Sequence, residues 1–168
     1  MAHVPFLVDE AGAQVWLHLV RSNPIARQLA GPLNAKIVVS GADGYISPDW
    51  YGVTDQVPTW NYVAIHLTGV LEQRPQEELR DVLDRQSRHF EEQLEPKPPW
   101  KTDKMTPDVL DKMMRQIVPC RMQITGVDGT WKLNQNKPDE VRLRAADQVD
   151  AFGMGQEVRL LAALMRGA

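Results

Sequence analysis

The sequence predicts an α+β domain that is mainly β, with helices at the periphery of its strands. The first observation behind this is the stretch 56–71. After Pro58, Val63, Ile65, Leu67 and Leu71 recur at even spacing together with Asn61, while Trp60, Tyr62, Ala64, His66 and Thr68 turn the other way. That is the period-two pattern of a strand with one apolar face. The second observation is composition: 12 prolines, 11 glycines and 5 tryptophans against 3 phenylalanines in 168 residues. Many turns and several amphipathic rings suit a strand-rich domain better than a helix bundle.

The chain in order supports that plan. Residues 3–8 read as a short strand closed by the turn Asp9-Glu-Ala-Gly12, and Gln14 to Arg21 as the next strand, with Val15, Leu17 and Leu19 alternating against Trp16, His18 and Val20. Asn23 then Pro24 gives an N-cap followed by proline at the first helical position, with Gly31 as the stop, so a short helix covers 24–30. Lys36–Ser40 and Tyr45–Ser47 are expected to form a hairpin about Gly41-Ala-Asp-Gly44, placing the hydroxyls of Tyr45 and Ser47 on one face and Ile46 on the other. At the entrance of the organising strand, Thr59, Trp60 and Asn61 bring a hydroxyl, an indole and a carboxamide together behind a proline, groups that suit a polar, planar ligand.

Pro75 opens a helix expected to run to about Leu94, with Leu79, Val82, Leu83, Phe90 and Leu94 as its apolar stripe and mixed charges outside. His89 is expected at the surface. Three prolines within 95–101 end it. Thr106-Pro107-Asp108 caps a second helix over 106–118, with Leu110, Met113, Met114, Ile117 and Val118 at helical spacing. Cys120–Gly126 and Thr130–Asn134 are expected to pair about Val127-Asp-Gly129, leaving Trp131 and Leu133 on one face and Lys132 on the other, with Gln135 at the exit. A C-terminal helix over 155–165 carries Val158, Leu161, Leu164 and Met165 on one side.

Composition and missing motifs bound the function. A length of 168 residues with 43% hydrophobic content suits one domain. The lone Cys120 excludes an internal disulfide and, alternating with Met122 and Ile124, reads as a buried structural thiol. Asp9 and Glu10 interrupt the first apolar run and no stretch reaches membrane-spanning length, so a soluble, cytoplasmic protein without membrane contact is expected. A net charge of −3 offers no general attraction for phosphate backbones. With no basic recognition helix either, direct DNA binding is not expected. No dinucleotide fingerprint, Walker lysine, paired-cysteine spacing or zinc-protease motif occurs, and no serine sits in a nucleophile elbow. No metal site is expected.

Three runs, Gly44-Tyr-Ile-Ser-Pro-Asp-Trp-Tyr51, Val57-Pro-Thr-Trp-Asn-Tyr62 and Gly129-Thr-Trp-Lys-Leu-Asn-Gln-Asn-Lys-Pro138, together resemble the PaiB-like family of FMN-binding negative transcriptional regulators. The resemblance covers roughly residues 2–140 and implies the FMN-binding split β-barrel of pyridoxamine-phosphate-oxidase-like flavoproteins. On that basis residues 1–140 form the barrel domain, helices 75–94 and 106–118 are insertions, and 141–168 is a helical extension of the same domain. It implies FMN as cofactor, at the interface of a homodimer. The junction of Arg21, Ser22 and Asn23 with the short helix would grip the phosphate, a place that local sequence reads equally as a plain helix cap. His18 would reach the ribityl chain or phosphate, or else be a hydrogen-bonded histidine beneath a helix. Tyr45, Ser47, Thr59, Trp60 and Asn61 would face the flavin, and Trp131, Lys132 and Gln135 the flavin of the other subunit. Family members usually carry a further N-terminal segment, with a barrel strand, before the position of Ala2-His-Val-Pro-Phe6; either the barrel is completed differently here or the first methionine lies inside a longer protein, and a missing strand would expose a ladder edge and weaken flavin binding.

Two functions remain open at this point. One is a flavin-binding module acting as regulator or redox sensor, and the other is an FMN-dependent oxidoreductase on a small cytosolic substrate. A shared fold does not choose between them. A flavin supplies its own hydride chemistry, so the distinguishing feature is a proton donor aimed at it, for which His18, His66 and Tyr45 are the candidates. A split barrel that no longer binds flavin is the third alternative.

Overall fold

The computed structural model describes residues 1–168. Six strands, β1 (Phe6–Val8), β2 (Gln14–Val20), β3 (Leu33–Ile46), β4 (Thr59–Gln73), β5 (Ile117–Lys132) and β6 (Gly155–Gln156), form one sheet in the order β1-β2-β5-β4-β3-β6. Five helices accompany them: α1 (Pro24–Gln28), α2 (Leu79–Glu91), α3 (Pro107–Met114), α4 (Asp139–Phe152) and α5 (Val158–Gly167). None is long and apolar enough to cross a membrane. The chain divides into two compact units, Met1–Lys36 with Thr68–Gly126, and Ile37–Leu67 with Val127–Ala168.

In the first unit the turn after β1 forms as the sequence predicts. Asp9 Oδ1 accepts from the amides of Ala13 and Gln14 at 2.7 and 2.9 Å, and Gly12 takes a φ of 67°. Antiparallel pairing then sets Val15, Leu17 and Leu19 of β2 opposite Met122, Cys120 and Val118 of β5. All six are buried, so one face of this ladder is core. Leu79 and Val82 of α2 are buried as well, but Phe90 and Leu94 are 44% and 52% exposed, against the expected stripe. Gln86, one turn beyond Val82, takes the buried position instead. It is tolerated there because its carboxamide is fully used, Oε1 with His18 Nδ1 at 3.0 Å and Nε2 donating to the carbonyls of Pro5 and Trp16. The second inserted helix also ends early. Ile117 and Val118 belong to β5, where they pair with Val20 and Leu19 of β2, and ladder hydrogen bonds to β2 outweigh one more helical turn.

Burial pushes the Cys120 thiol up to about 11, because the thiolate would lose its water. In native protein at pH 8, Cys120 is expected to resist iodoacetamide and to react only as fast as the chain unfolds. Stoichiometric labelling within minutes, followed by mass spectrometry, would contradict this.

Both predicted hairpins are absent. β3 runs straight through Gly41-Ala-Asp-Gly44, and β5 straight through Val127-Asp-Gly129. None of these residues has the positive φ of a tight turn. Their glycines supply space instead. A Cβ on Gly44 would sit 3.0 Å from Leu161 Cδ2 and 3.2 Å from the Met154 carbonyl, and one on Gly129 would sit 2.4 Å from the Trp131 ring. The core of the second unit joins Ala42, Ile46, Tyr51 and Leu133 to Val141, Ala145, Ala146 and Val149 of α4 and Leu161, Ala162 and Met165 of α5. Helix α5 starts at Val158 rather than at 155, since Gly155 and Gln156 are occupied in pairing with Gly44 and Asp43. Arg142, buried on α4, donates to the Met165 carbonyl and to Asp139, which ties the end of α5 to α4.

Candidate functional site

The second unit brings most of the predicted flavin residues to the entrance of β4. Lys132 Nζ at the end of β5 donates to Thr59 Oγ1 at the start of β4, 2.6 Å away. Alternation therefore turns Trp131 and Trp60, each one residue along, to the other face. Both indoles remain 49% and 43% exposed. The Tyr45 ring meets Trp60 edge-on at 6.5 Å and Trp50 at 6.4 Å, a spacing that aromatic pairs favour. Exposed rings, a hydroxyl and a cation on neighbouring strand ends suit a planar, anionic cofactor.

Two of the predicted residues make hydrogen bonds within the chain, and a third is buried without any. Ser47 Oγ accepts from the Asp49 amide and so caps the 3-10 turn Pro48–Tyr51. Gln135 closes a turn on itself, its Oε1 accepting from the Leu133 amide at 2.8 Å and its Nε2 donating to the Trp131 carbonyl at 2.6 Å. It orients the chain at Trp131 rather than offering a free amide. Asn61 is 0% exposed, and neither Nδ2 nor Oδ1 has a hydrogen-bond partner.

Sequence reasoning missed a polar knot beside this entrance. Tyr51, almost fully buried, accepts at its hydroxyl from Asn134 Nδ2 at 3.1 Å. Lys137 Nζ lies 4.3 Å above its ring and donates to Gln56. Arg144 of α4 donates to the carbonyls of Tyr51 and Gly52 at 2.9 and 3.1 Å. Burial raises the Tyr51 pKa and the Asn134 hydrogen bond partly opposes that, so Tyr51 stays a neutral phenol at physiological pH. The signal was present in Asn134, a residue type that tolerates its φ of 61°. A cleft of about 480 Å³ lined by Pro48, Asp49, Gly52, Val53 and Gln56 opens beside the knot, within the size range of small-molecule sites.

The remaining candidates lie in the first unit. Asn23 Oδ1 caps α1 by accepting from the Ile25 amide at 2.9 Å. Arg21 donates through Nε to the Arg115 carbonyl at 2.7 Å and through Nη2 to Gln76 Oε1 at 2.6 Å. Its Nη1 and the exposed Ser22 are the groups left over. His18 sits beneath α2 on Gln86, which is the second of the two arrangements its position allowed.

Against this geometry the comparisons with known proteins are decisive for the family. A family model described as "Putative FMN-binding domain" matches residues 1–126. The chain belongs to that family. Flavin mononucleotide is the cofactor of this FMN-binding family, and the exposed rings and cation at the β4 entrance fit it. The chain is 26% identical over 132 residues to "Protease synthase and sporulation protein PAI 2" of Bacillus subtilis, covering 79% of this chain and 62% of that protein. It is 31% identical over 75 residues to an uncharacterized protein of Saccharomyces cerevisiae, covering 40% of this chain and 44% of the other. Its fold is that of an FAD- and haem-binding protein from Mycobacterium smegmatis, with a TM-score of 0.54 at 16% identity over 90% of this chain and 65% of that one. The fold class is α+β, mainly β, of the flavin split-barrel type. The chain spans less than two thirds of the length of each of these relatives.

Proposed function

We propose that this chain is an FMN-binding protein of the PaiB-like regulator type, working as a homodimer with the flavin held at the interface. The observation that carries the dimer is the end of β5. Residues 125–132 are exposed on both faces of the strand, and they include Val127 at 65% exposure as well as Trp131. A bare strand carrying an indole is a template for association, and a second copy is the commonest cover in soluble oligomers. Val38 and Val39 of β3, successive and both exposed, repeat the pattern.

Thr59 and Lys132 would meet the flavin ring in that arrangement, with Trp60 and Trp131, on the opposite strand face, turned toward the interface. The bound flavin supplies the redox chemistry. Lys132 would place a cation beside it. Two observations favour a binding or sensing role over an oxidoreductase. The Bacillus subtilis relative, with which the chain shares 26% identity, is named for sporulation rather than for an oxidoreductase, and His18, one of three candidate proton donors, is engaged by Gln86. Purified protein mixed with FMN is expected to sediment as a dimer with one flavin per chain. A monomer that retains flavin would overturn the interface, and rapid anaerobic bleaching by reduced nicotinamide would favour the oxidoreductase.

The phosphate grip at Arg21 and Ser22 is open to one substitution. Arg21→Ala is expected to weaken FMN binding by about 1.5–3 kcal/mol, the scale of a charge-assisted hydrogen bond, and to leave riboflavin nearly unchanged. Equal losses for the two ligands in fluorescence titrations would place the phosphate elsewhere.

A further inference from the structure

Asn61 is the one residue at the β4 entrance whose chemistry the fold leaves unanswered. Its side chain is fully buried, and both the donor Nδ2 and the acceptor Oδ1 lack partners. Every other buried polar side chain in that unit is satisfied: Asn134 donates to Tyr51 and Arg142 to Met165 and Asp139. Buried carboxamides are ordinarily paired, and an unpaired one is a standing cost to the folded chain. An apolar residue of the same shape, such as leucine, would avoid it.

We infer that the Asn61 carboxamide is a specificity element for the flavin ring, reading its pyrimidine edge through a paired acceptor and donor. Oδ1 accepts from the ring N3–H, and Nδ2 donates to a flanking ring carbonyl. A carboxamide is the side chain that offers an acceptor and a donor side by side, which matches the N–H and C=O of that edge. The inference rests on the flavin site proposed above and adds which edge is read. Solvent does not reach the amide in this conformation, so a ligand that bonds to it has to displace the side chains covering it. On that face Thr59, two positions before Asn61, is held by Lys132 in an exposed hydrogen bond. An exposed contact of this kind is readily exchanged for a ligand oxygen.

The test compares FMN with FMN methylated at N3, which keeps the ring and phosphate but loses the donor. Affinities come from quenching of flavin fluorescence, and the stability of the flavin-free protein from thermal unfolding. The parent chain is expected to bind FMN at least about tenfold more tightly than the N3-methyl compound, as for a lost hydrogen bond to a buried group. Asn61→Leu should abolish that preference, with FMN affinity falling to that of the methylated compound, while the flavin-free variant unfolds at the same or a higher temperature. Equal affinities of the parent for the two compounds would overturn the inference and leave flavin binding standing. A flavin-free Asn61→Leu that unfolds earlier would also overturn it, because the carboxamide would then be satisfied within the protein, as by a buried water. A parent that binds neither compound would sink the flavin site together with this reading of it.

Discussion

Trp131→Glu is expected to sediment as a monomer at micromolar concentration where the parent chain sediments as a dimer. The ring lies on a strand end whose residues 125–132 are all exposed, so in a dimer it passes from water into the interface. Large aromatic anchors of this kind cost about 2–4 kcal/mol when removed, which is a loss of about thirtyfold to a thousandfold in association. A carboxylate adds the cost of placing an unpaired charge in the same pocket. Leu143→Glu is the control, since Leu143 on α4 is also half-exposed but is not on that strand, and it is expected to stay dimeric. If Trp131→Glu remains a dimer, the partner does not cover β5.

Leu161→Ala is expected to destabilise the chain by about 2–5 kcal/mol, toward the upper part of that range. Leu161 of α5 is fully buried in the cluster that joins α4 and α5, which includes Ala42, Ala145, Ala146 and Ala162 beside larger side chains. Its Cδ2 stands 3.0 Å from where a Cβ on Gly44 would lie, so that glycine offers no side chain to close a gap there. The glycine and the alanines of this cluster have no side chain that can move into the vacated volume, so much of the cavity stays open. Urea denaturation measures the loss as a lower midpoint at an unchanged slope. A cost below about 1 kcal/mol would mean that the helices collapse onto the gap.

The local elements show where short-range rules suffice. Asn23-Pro24 capped and opened α1 as its residue types require, Asp9 and Gly12 made the first turn, and alternation in β4 put Asn61, Leu67 and Leu71 on the buried face. Three motifs at Gly44–Tyr51, Val57–Tyr62 and Gly129–Pro138 were enough to recognise an FMN-binding family. These depend on dihedral preference, side-chain reach and period, which neighbouring residues settle among themselves.

The tertiary structure decided what glycine and polar side chains are for. Gly41-Ala-Asp-Gly44 and Val127-Asp-Gly129 carry turn residues, yet each lies within a long strand, because Leu161 and Trp131 need the space that a Cβ would take. Gln86, a polar residue of α2, is buried because His18, Pro5 and Trp16 come within hydrogen-bonding distance of it. Tyr51 and Asn134 are 83 positions apart in the chain and meet only through folding. Asn61 was legible as a polar residue on an apolar face, but its lack of any partner was not, since that depends on every atom packed around it. Backbone preference is local and so is written in the sequence, whereas space and hydrogen-bond partners come from residues far along the chain and exist only once it has folded.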